Sequence, residues 1–306
     1  MVPEIIIQLV LYHDARHLPG LIDSFRSQSF KDFHVVALDN SSDDEAANTF
    51  CQLYPEGELH RSEQNLGYAG GHCRLIERTL RSGAAFVVVL NTDVQLHPDF
   101  LKHLHQRMIL SPRVDACGPL ILEGSENKRT NIIQHYRLFM DFSRAIKNSE
   151  DAGQLLSREQ YLPSNARVDY LSGVAFMLRT GVLQDMPFFD PGLFMYGEER
   201  DFFFRFAQRG LVAEVVKDAV CWHFHDWKAQ SPVGYRREYY YLKRNKILFF
   251  KKYGLLKSLI SFLLREVIIA PYTFCWSLQK GGMKMVSGYW LGLWQGLTGR
   301  TGQGPF

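Results

Sequence analysis

The stretch Val87-Val88-Val89-Leu90-Asn91-Thr92-Asp93-Val94 decides the fold, because an apolar run changes abruptly into polar residues. Such a run is typical of a strand that is buried on both faces of a sheet. Similar runs at residues 5–12, 33–38 and 86–90 alternate with amphipathic segments at 18–27, 45–54 and 70–82, which we predict to be helices. The alternation predicts an α/β protein with a mainly parallel central sheet flanked by helices.

Composition places the chain among globular proteins of one large core, or of one domain with an appendage. It has 306 residues, of which 46% are hydrophobic and 22% charged. Its five cysteines are scattered without paired spacing, which favours reduced thiols in a cytosolic setting over a disulfide framework or a zinc site. No apolar leader precedes the first strand, so no signal peptide is expected.

Charge divides the chain into two predicted regions, residues 1–227 and 228–306. The second region has 13 Lys and Arg but two acids, a balance of +11, whereas the first carries a balance of −8. A basic, aromatic-rich tail of this kind suggests an anionic partner, either nucleic acid or a membrane surface. Its longest uncharged apolar piece has 13 residues, fewer than the roughly 20 that span a bilayer. We therefore expect helices lying in a membrane interface, with a helical subdomain packed on the body as the alternative.

Polar residues follow the predicted strands at the edge where parallel sheets bind ligands. Asp39 and Asn40 can hydrogen-bond a nucleoside, although Asp and Asn also form turns and helix caps. Asp93 offers a carboxylate of the kind that Mg²⁺ or Mn²⁺ prefers, with a strand-ending turn as the alternative. The glycines of residues 65–72 suit close approach to a phosphate, but the segment is neither a P-loop nor a GxGxxG motif.

Glu198-Glu199-Arg200-Asp201 places three carboxylates directly before an aromatic run. Burial there would raise a carboxylate pKa toward that of a general base, whereas the simpler interpretation is a helix that begins with acids. Residues 170–178 are predicted to be a strand, and residues 124–167 a polar insertion or mobile loop. His223 and His225 could bind a cation, but no third zinc ligand lies nearby in sequence, and a structural histidine stays open.

In their order along residues 5 to about 225, these motifs resemble the large inverting family-2 glycosyltransferases with a GT-A fold. The resemblance is closest to the bacterial rhamnosyltransferase-like branch. It is carried by residues 38–43, 65–71, 90–94, 171–179, 189–190 and 194–199. It implies a Rossmann-like GT-A domain followed by a C-terminal helical, basic, membrane-associating region.

The resemblance also implies a role for each matching position. The nucleotide would contact Leu11, Asp39, Asn40, Asn65, Gly67, Asn91 and Thr92. The sugar or acceptor would contact Gly70, Ser172, Gly173 and Tyr196. Mg²⁺ or Mn²⁺ would bind Asp93 and His223, since Asn91 replaces the first acid of the family's DxD motif. Glu199 occupies the position of the catalytic base, and Glu198 is its rival because the family's Glu-Asp pair is Glu-Glu here.

The implied reaction is metal-dependent, inverting transfer of L-rhamnose from dTDP-rhamnose to a hydroxyl of a lipid-linked or cell-surface polysaccharide precursor. The site would lie at the cytoplasmic face of the plasma membrane, with the protein peripheral. UDP-hexose, UDP-N-acetylhexosamine or UDP-galactofuranose donors stay open, as does a nonenzymatic nucleotide- or sugar-binding module. No nucleic-acid motif is recognised, so nucleic acid is not an expected partner, and a homodimer is left open.

Overall fold

The computed structural model describes residues 2–125, 128–157, 162–224 and 231–306. His225 and the predicted boundary between residues 227 and 228 lie outside the described residues. The helices of the described part are α1 (Leu18–Arg26), α2 (Glu45–Leu53), α3 (Gly67–Ser82), α4 (Phe100–Leu110), α5 (Val182–Asp185), α6 (Glu198–Gln208), α7 (Pro232–Lys252) and α8 (Leu256–Thr298). The strands are β1 (Ile5–Leu11), β2 (Phe33–Asp39), β3 (Glu58–Arg61), β4 (Phe86–Leu90), β5 (Val94–Leu96), β6 (Ala116–Ser125), β7 (Lys128–His135), β8 (Leu138–Asp141), β9 (Ile146–Ser149), β10 (Asn165–Val168), β11 (Ala175–Arg179) and β12 (Ala213–His223).

The α/β architecture predicted from the alternating runs is confirmed. The large sheet has the order β10-β12-β6-β11-β4-β1-β2-β3, with β5 beside β12 and β7 beside β6. Strands β1 to β4 are parallel neighbours, as are β6 and β12. Antiparallel β11 lies between β4 and β6 and joins the two parallel parts into one mixed sheet.

The central strands are uniformly apolar because helices cover both faces. Val88 and Leu90 belong to the core beneath α1, α2 and α4, whereas Val87 and Val89 belong to the core shared with α3 and α6. Successive side chains of a strand point to opposite faces, so a strand covered on both needs apolar residues throughout. This packing exposes only the polar residues at the strand ends.

The prediction of a polar insertion at residues 124–167 is wrong. The segment contains the end of β6, the strands β7 and β10, and the separate hairpin of β8 and β9. These strands carry polar side chains on their open faces, so they lack the continuous apolar run that marked β4. The strand predicted at residues 170–178 begins only at Ala175, and residues 170–174 approach the sheet edge as a loop.

The C-terminal helices α7 and α8 pack on the body of the protein and on each other. Phe249 contacts Phe204 of α6, and Phe194 stacks on Tyr241. In the second arm of α8, which bends at Gly282, the α-carbon of Gly292 lies against the α7 backbone. A β-carbon there would be 2.4 Å from the Tyr240 carbonyl oxygen. The helices therefore meet backbone to backbone, which only a residue without a side chain allows.

The first arm of α8 corrects the expectation that its apolar run is too short for a membrane. Residues Leu256–Gln279 form one helix that is long and apolar enough to cross a membrane, judged by length and composition alone. Charged residues interrupt the apolar sequence but not the helix. Most of this arm is solvent-exposed, including Leu264 and Ile268. Length and composition do not distinguish a helix that crosses a membrane from one that lies on it.

We predict that Gly292→Ala destabilises the fold. Alanine gains about 1 kcal/mol over glycine in helix propensity, but its β-carbon has to push two helix backbones apart. The free energy of unfolding should fall by roughly 1–3 kcal/mol, the usual cost of overpacking, as measured by denaturant titration. Ser287→Ala is the matched control on the same arm, because Ser287 is exposed. An equal effect of the two substitutions would contradict the backbone contact.

Candidate functional site

The predicted nucleotide-binding residues gather where β1 and β2 end. Leu11 and Asp39 are register partners, and the Asn40 amide donates to the Leu11 carbonyl. The Leu11 side chain is buried in the core, so only its backbone reaches this edge. The Asn40 side chain donates to the Gly67 carbonyl (3.0 Å), and the Gly67 amide donates to Asn65 Oδ1 (2.8 Å). Asn40 thereby connects the β2 end to the glycine loop.

The Asp39 side chain is wholly buried at this edge, but only one of its two carboxylate oxygens accepts a hydrogen bond from the described residues. Its Oδ1 accepts from the Ser41 amide at 2.9 Å. Its Oδ2 accepts no hydrogen bond from the part of the chain that the structure describes, and Arg61 Nε lies 3.5 Å away. A buried carboxylate oxygen without a donor is costly. The Asp39 Oδ2 is therefore suited to accept from a ligand such as a nucleoside.

The end of β4 places Asn91, Thr92 and Asp93 in the middle of the sheet edge. The Asn91 amide donates to the Val174 carbonyl (2.9 Å), and Thr92 is buried. The sequence analysis missed Asp14, whose side chain interacts with Thr92. Burial raises the pKa of Asp14 to about 6, the Thr92 hydrogen bond opposes this, and the Asp93 charge adds to it. The signal for Asp14 was its place just after β1, on the same ligand-binding edge.

Asp93 and His223 meet although they lie far apart in sequence. His223 pairs with Val94 across β12 and β5, which brings its Nε2 to 3.2 Å from Asp93 Oδ1. His223 Nδ1 lies 2.8 Å from Gln134 Oε1, and this contact helps to orient the ring with Nε2 toward Asp93. No cluster of three or more His, Cys, Asp or Glu forms within the described residues. Two donors fit Mg²⁺ or Mn²⁺, which take their other ligands from water and phosphate.

Beside this edge lies a cavity of 510 Å³ lined by both glutamates of the acidic motif. The cavity is also lined by Asn91, His223, Ser172, Gly173 and Tyr196, which the sequence assigned to nucleotide, metal or sugar. Gly70 is absent from this lining. It lies inside α3, where a β-carbon would approach Leu66 and Pro191. Most of the predicted site residues therefore converge, whereas Gly70 is placed to pack α3 against its neighbours.

The two glutamates occupy different environments in the first turn of α6. Glu198 is 3% exposed, and its Oε2 has no hydrogen-bond partner among the described residues. Burial, with the charge of Glu199 adding to it, holds the pKa of Glu198 well above its usual range. Glu199 is partly exposed and packs against Gly173, where a β-carbon would be 2.1 Å from its Oε1. Burial thus favours the neutral form of Glu198, whereas Glu199 is the more exposed side chain of the pair.

Asp201, the third acid of the motif, is held by other side chains. It accepts from Arg205 (2.9 Å), Lys252 (2.8 Å) and the Tyr253 hydroxyl (2.8 Å). It is 1% exposed and does not line the cavity. This satisfied ion pair network gives Asp201 a structural role in joining α6 to α7.

The cavity contains further polar groups that the sequence analysis missed. His135 and Lys147 enter from β7 and β9, and Tyr170 from the loop before β11. Burial lowers the pKa of His135 to about 3, with Lys147 and His223 adding to the effect. The Tyr170 hydroxyl interacts with Glu199, while burial raises the pKa of Tyr170 strongly. His135 and Lys147 lie in the segment predicted as an irregular loop, so no strand pattern drew attention to them, whereas Tyr170 began the strand predicted at residues 170–178 but was assigned no role.

Comparison with known proteins gives matches that include the residues of the candidate site. A family model described as "Glycosyltransferase like family 2" matches residues 3–238. A curated relative is the N-acetylglucosaminyl-diphospho-decaprenol L-rhamnosyltransferase of Mycobacterium tuberculosis, found in strains CDC 1551 and H37Rv. It is 27% identical over 226 residues, which cover 70% of this chain and 74% of the relative.

Two solved structures show a similar fold. GalNAc-T7, solved with UDP, GalNAc and Mn²⁺, superposes with a TM-score of 0.62 at 13% identity, over 82% of this chain and 48% of its own. TarS of S. aureus superposes with a TM-score of 0.52 at 16% identity, over 86% of this chain and 43% of its own. The chain thus spans less than half the length of either structure. At such identities the likeness concerns the fold, and it confirms the GT-A fold predicted from the sequence.

We predict that Gly173→Ala disables the site without unfolding the protein. The new β-carbon collides with the end of the Glu199 side chain, which can move away, so stability should change little. A displaced carboxylate should lower turnover of the implied glycosyl transfer by about 100-fold, as expected for a misplacement of roughly 1 Å. Steady-state kinetics and a melting curve measure the two effects. Gly181→Ala is the control, since nothing lies within 4 Å of a β-carbon there. Unchanged turnover in Gly173→Ala would contradict the placement of Glu199.

Proposed function

The chain belongs to the glycosyltransferase family 2-like proteins, and on that premise we propose that it inverts the anomeric centre of a nucleotide sugar while transferring the sugar to a lipid-linked acceptor. The donor we propose is dTDP-rhamnose, and the acceptor is a hydroxyl of a lipid-linked polysaccharide precursor. The name of the relative from M. tuberculosis supports both choices, at 27% identity.

The observation that carries this proposal is the division of the acidic pair. Direct displacement at an anomeric carbon needs one base on the acceptor hydroxyl and no second carboxylate to form a covalent intermediate. Both glutamates line the cavity, but Glu199 is partly exposed, whereas Glu198 is buried and burial raises its pKa. We therefore assign the base to Glu199.

The proposed mechanism assigns a task to each part of the sheet edge. Asp39 and Asn40 hold the nucleoside, and the start of α3 at Gly67 turns its amides toward the diphosphate. Glu199 removes the acceptor proton as the acceptor oxygen bonds to the anomeric carbon. The bond from that carbon to the diphosphate breaks, and its electron pair leaves with the nucleoside diphosphate. Tyr170 positions the Glu199 carboxylate through their interaction.

A divalent cation fits the site as a partner of the leaving group. Asp93 and His223 would hold it, and it would supply positive charge beside the diphosphate. The approach of His223 Nε2 to Asp93 Oδ1, at 3.2 Å, supports this assignment, because it brings together an imidazole nitrogen and a carboxylate oxygen, two kinds of atom that bind divalent cations.

We further propose that the protein acts as a peripheral protein at the cytoplasmic face of the plasma membrane, where a lipid-linked acceptor would be found. The exposed apolar side chains of the first α8 arm, such as Leu264, Val267 and Ile268, support this location. The charge of +11 over residues 228–306 complements an anionic membrane surface.

We predict opposite outcomes for two matched substitutions. Glu199→Gln removes the base and should lower release of dTDP from dTDP-rhamnose, with acceptor present, by about 10²–10⁴-fold. Glu198→Gln has the shape of the neutral acid already present and should retain turnover within about tenfold. Both variants should bind dTDP like the parent, as measured by thermal shift.

Assays with a panel of nucleotide sugars distinguish this proposal from its alternatives. Turnover with a UDP-sugar instead of dTDP-rhamnose would replace the donor but keep the base. Nucleotide binding without turnover on any donor, with a suitable acceptor present, would replace catalysis by a binding function. Loss of turnover in Glu198→Gln alone would transfer the base to Glu198.

We also predict that turnover depends on a divalent cation at Asp93. A chelator should lower the rate by at least about 100-fold, since a cation typically contributes several kcal/mol of charge stabilisation. Mn²⁺ or Mg²⁺ should restore the parent protein but not Asp93→Asn, which keeps the size and loses the charge. Nucleotide binding measured with and without the cation gives a readout independent of turnover. Full activity in chelator would exclude this part of the mechanism.

A further inference from the structure

A second cavity, of 500 Å³, lies on the other side of the β8–β9 hairpin from the catalytic cavity. We call it the basic pocket and define it by the four cationic side chains that line it: Arg144, Lys246, Lys257 and Arg265. Hydroxyl groups of Ser143, Ser258 and Ser261 line it as well. Cations and hydroxyl donors around one cavity are the groups that bind phosphate oxygens.

The charge in this pocket is only partly balanced by the protein. Arg265 pairs with Glu266 at 3.1 Å, but Glu266 is shared with Lys243 at 3.0 Å. In the part of the chain that the structure describes, no carboxylate lies within 4.0 Å of Lys246 or Lys257. Arg144 pairs with Asp141 at 3.6 Å. An anion entering the pocket would therefore find two cations, Lys246 and Lys257, that no nearby carboxylate of the described residues neutralises.

The environment of Lys246 points the same way. Its Nζ donates to the Ala145 carbonyl at 3.2 Å. Burial, together with the charges of Arg200 on α6, Arg265 on α8 and Lys243 on α7, lowers its pKa to about 7, while Glu266 opposes them. Gathering like charges costs free energy that a bound anion would recover.

The start of α8 adds to the positive potential. This helix begins at Leu256 without a side-chain cap, and Lys257, Ser258 and Ser261 lie in its first two turns. The free amides and the macrodipole at a helix N-terminus favour an anion. Here the side chains of that helix start, Lys257, Ser258 and Ser261, line the same cavity as the other basic residues.

The position of the pocket connects the catalytic cavity to the apolar face of α8. Along the hairpin, Arg144 and Ile146 line the basic pocket, whereas Ala145 and Lys147 line the catalytic cavity. One layer of backbone thus separates the two. In the other direction, the exposed apolar residues of α8 include Ile260 and Leu264, which are sequence neighbours of the lining residues Ser261 and Arg265.

We propose that the basic pocket binds the phosphate groups of a lipid whose hydrocarbon chain lies along the exposed face of α8. Resting on the proposed function, this lipid is the acceptor: its phosphates lie in the basic pocket while its sugar reaches Glu199 across the hairpin. An anionic phospholipid offers the same phosphate chemistry, so the experiment separates the two sources.

The first test measures the binding of inorganic pyrophosphate to the full chain. A chelator is present so that binding through a metal ion does not contribute. The double variant Arg144→Gln/Lys257→Gln should weaken pyrophosphate binding about tenfold or more by calorimetry. Lys102→Gln/Lys284→Gln removes the same charge at exposed positions outside the pocket, one of them on α8, and should leave the affinity within about twofold. Equal weakening in both variants, or no binding by the parent, would overturn the proposal.

The second test identifies the source of the phosphate with sedimented vesicles. Phosphatidylcholine vesicles containing a polyprenyl diphosphate should retain the parent and the control variant, and should retain the pocket variant about tenfold less. Equal, pocket-dependent retention by phosphatidylcholine–phosphatidylglycerol vesicles would assign the pocket to bulk lipid and overturn the acceptor assignment. Retention that is unaffected by the pocket variant in every vesicle would overturn lipid binding there.

Steady-state kinetics test the pocket proposal separately from the proposed function. The pocket variant should raise KM for a lipid-linked acceptor about tenfold, with KM for the nucleotide sugar unchanged. Active enzyme with an unchanged acceptor KM would overturn the pocket and leave the glycosyltransferase intact. Pocket-dependent binding of pyrophosphate and lipid by a protein that transfers no sugar would refute the proposed function and leave the pocket.

Discussion

The buried pair Arg244–Asn245 on α7 holds the loop at residues 193–197, part of which lines the candidate cavity. Asn245 Nδ2 donates to the carbonyls of Leu193, Met195 and Tyr196, and Arg244 Nη2 donates to Leu193 as well. This loop contains Phe194 and Tyr196 with φ of 67° and 63°, a backbone state that costs of order 1–3 kcal/mol for each residue. Without the side-chain donors from α7, nothing in this network would offset the cost of the backbone conformation from which α6 begins at Glu198.

This dependence explains why the tail and the body are packed so closely. Arg244 is wholly buried, and its charge is met by carbonyl oxygens, the Tyr240 hydroxyl and the Asn245 amide oxygen, with no carboxylate among its hydrogen-bond acceptors in the described residues. Such a charge is tolerated only where every donor finds an acceptor. The loop supplies one of those acceptors, the Leu193 carbonyl, so α7 and the loop stabilise each other. The basic tail therefore contributes to the candidate site as well as to the surface charge.

The sequence predicted the parts of the fold and site that depend on local patterns. Asp39, Asn91 and Asp93 follow apolar strands, and parallel strands bring their ends to one edge whatever the remaining chain does. His135 and Lys147 escaped prediction because their strands carry polar side chains and lack a continuous apolar run. Tyr170 escaped because it lies in a loop before β11, and its contact with Glu199 arises only in the folded chain. Arg244 escaped for a related reason: a basic residue in a basic helix suggests a solvated face, and only tertiary packing shows it to be buried. Local patterns thus identify the sheet edge, whereas long-range packing defines the walls of the cavity.

The acidic motif Glu198-Glu199-Arg200-Asp201 begins helix α6, and two of its acids also line the candidate cavity. A helix N-terminus stabilises a carboxylate by typically 0.3–1 kcal/mol, which is small beside the cost of ionising a buried acid. The macrodipole therefore cannot decide which glutamate is charged, and solvent access does. Glu198, at 3% exposure, is in a site that favours its neutral form, whereas Glu199 is partly exposed beside the cavity and Asp201 is paired with Lys252 and Arg205. One helix turn thereby holds a buried acid, a more exposed acid and an ion pair, because its three carboxyl groups lie in three different environments.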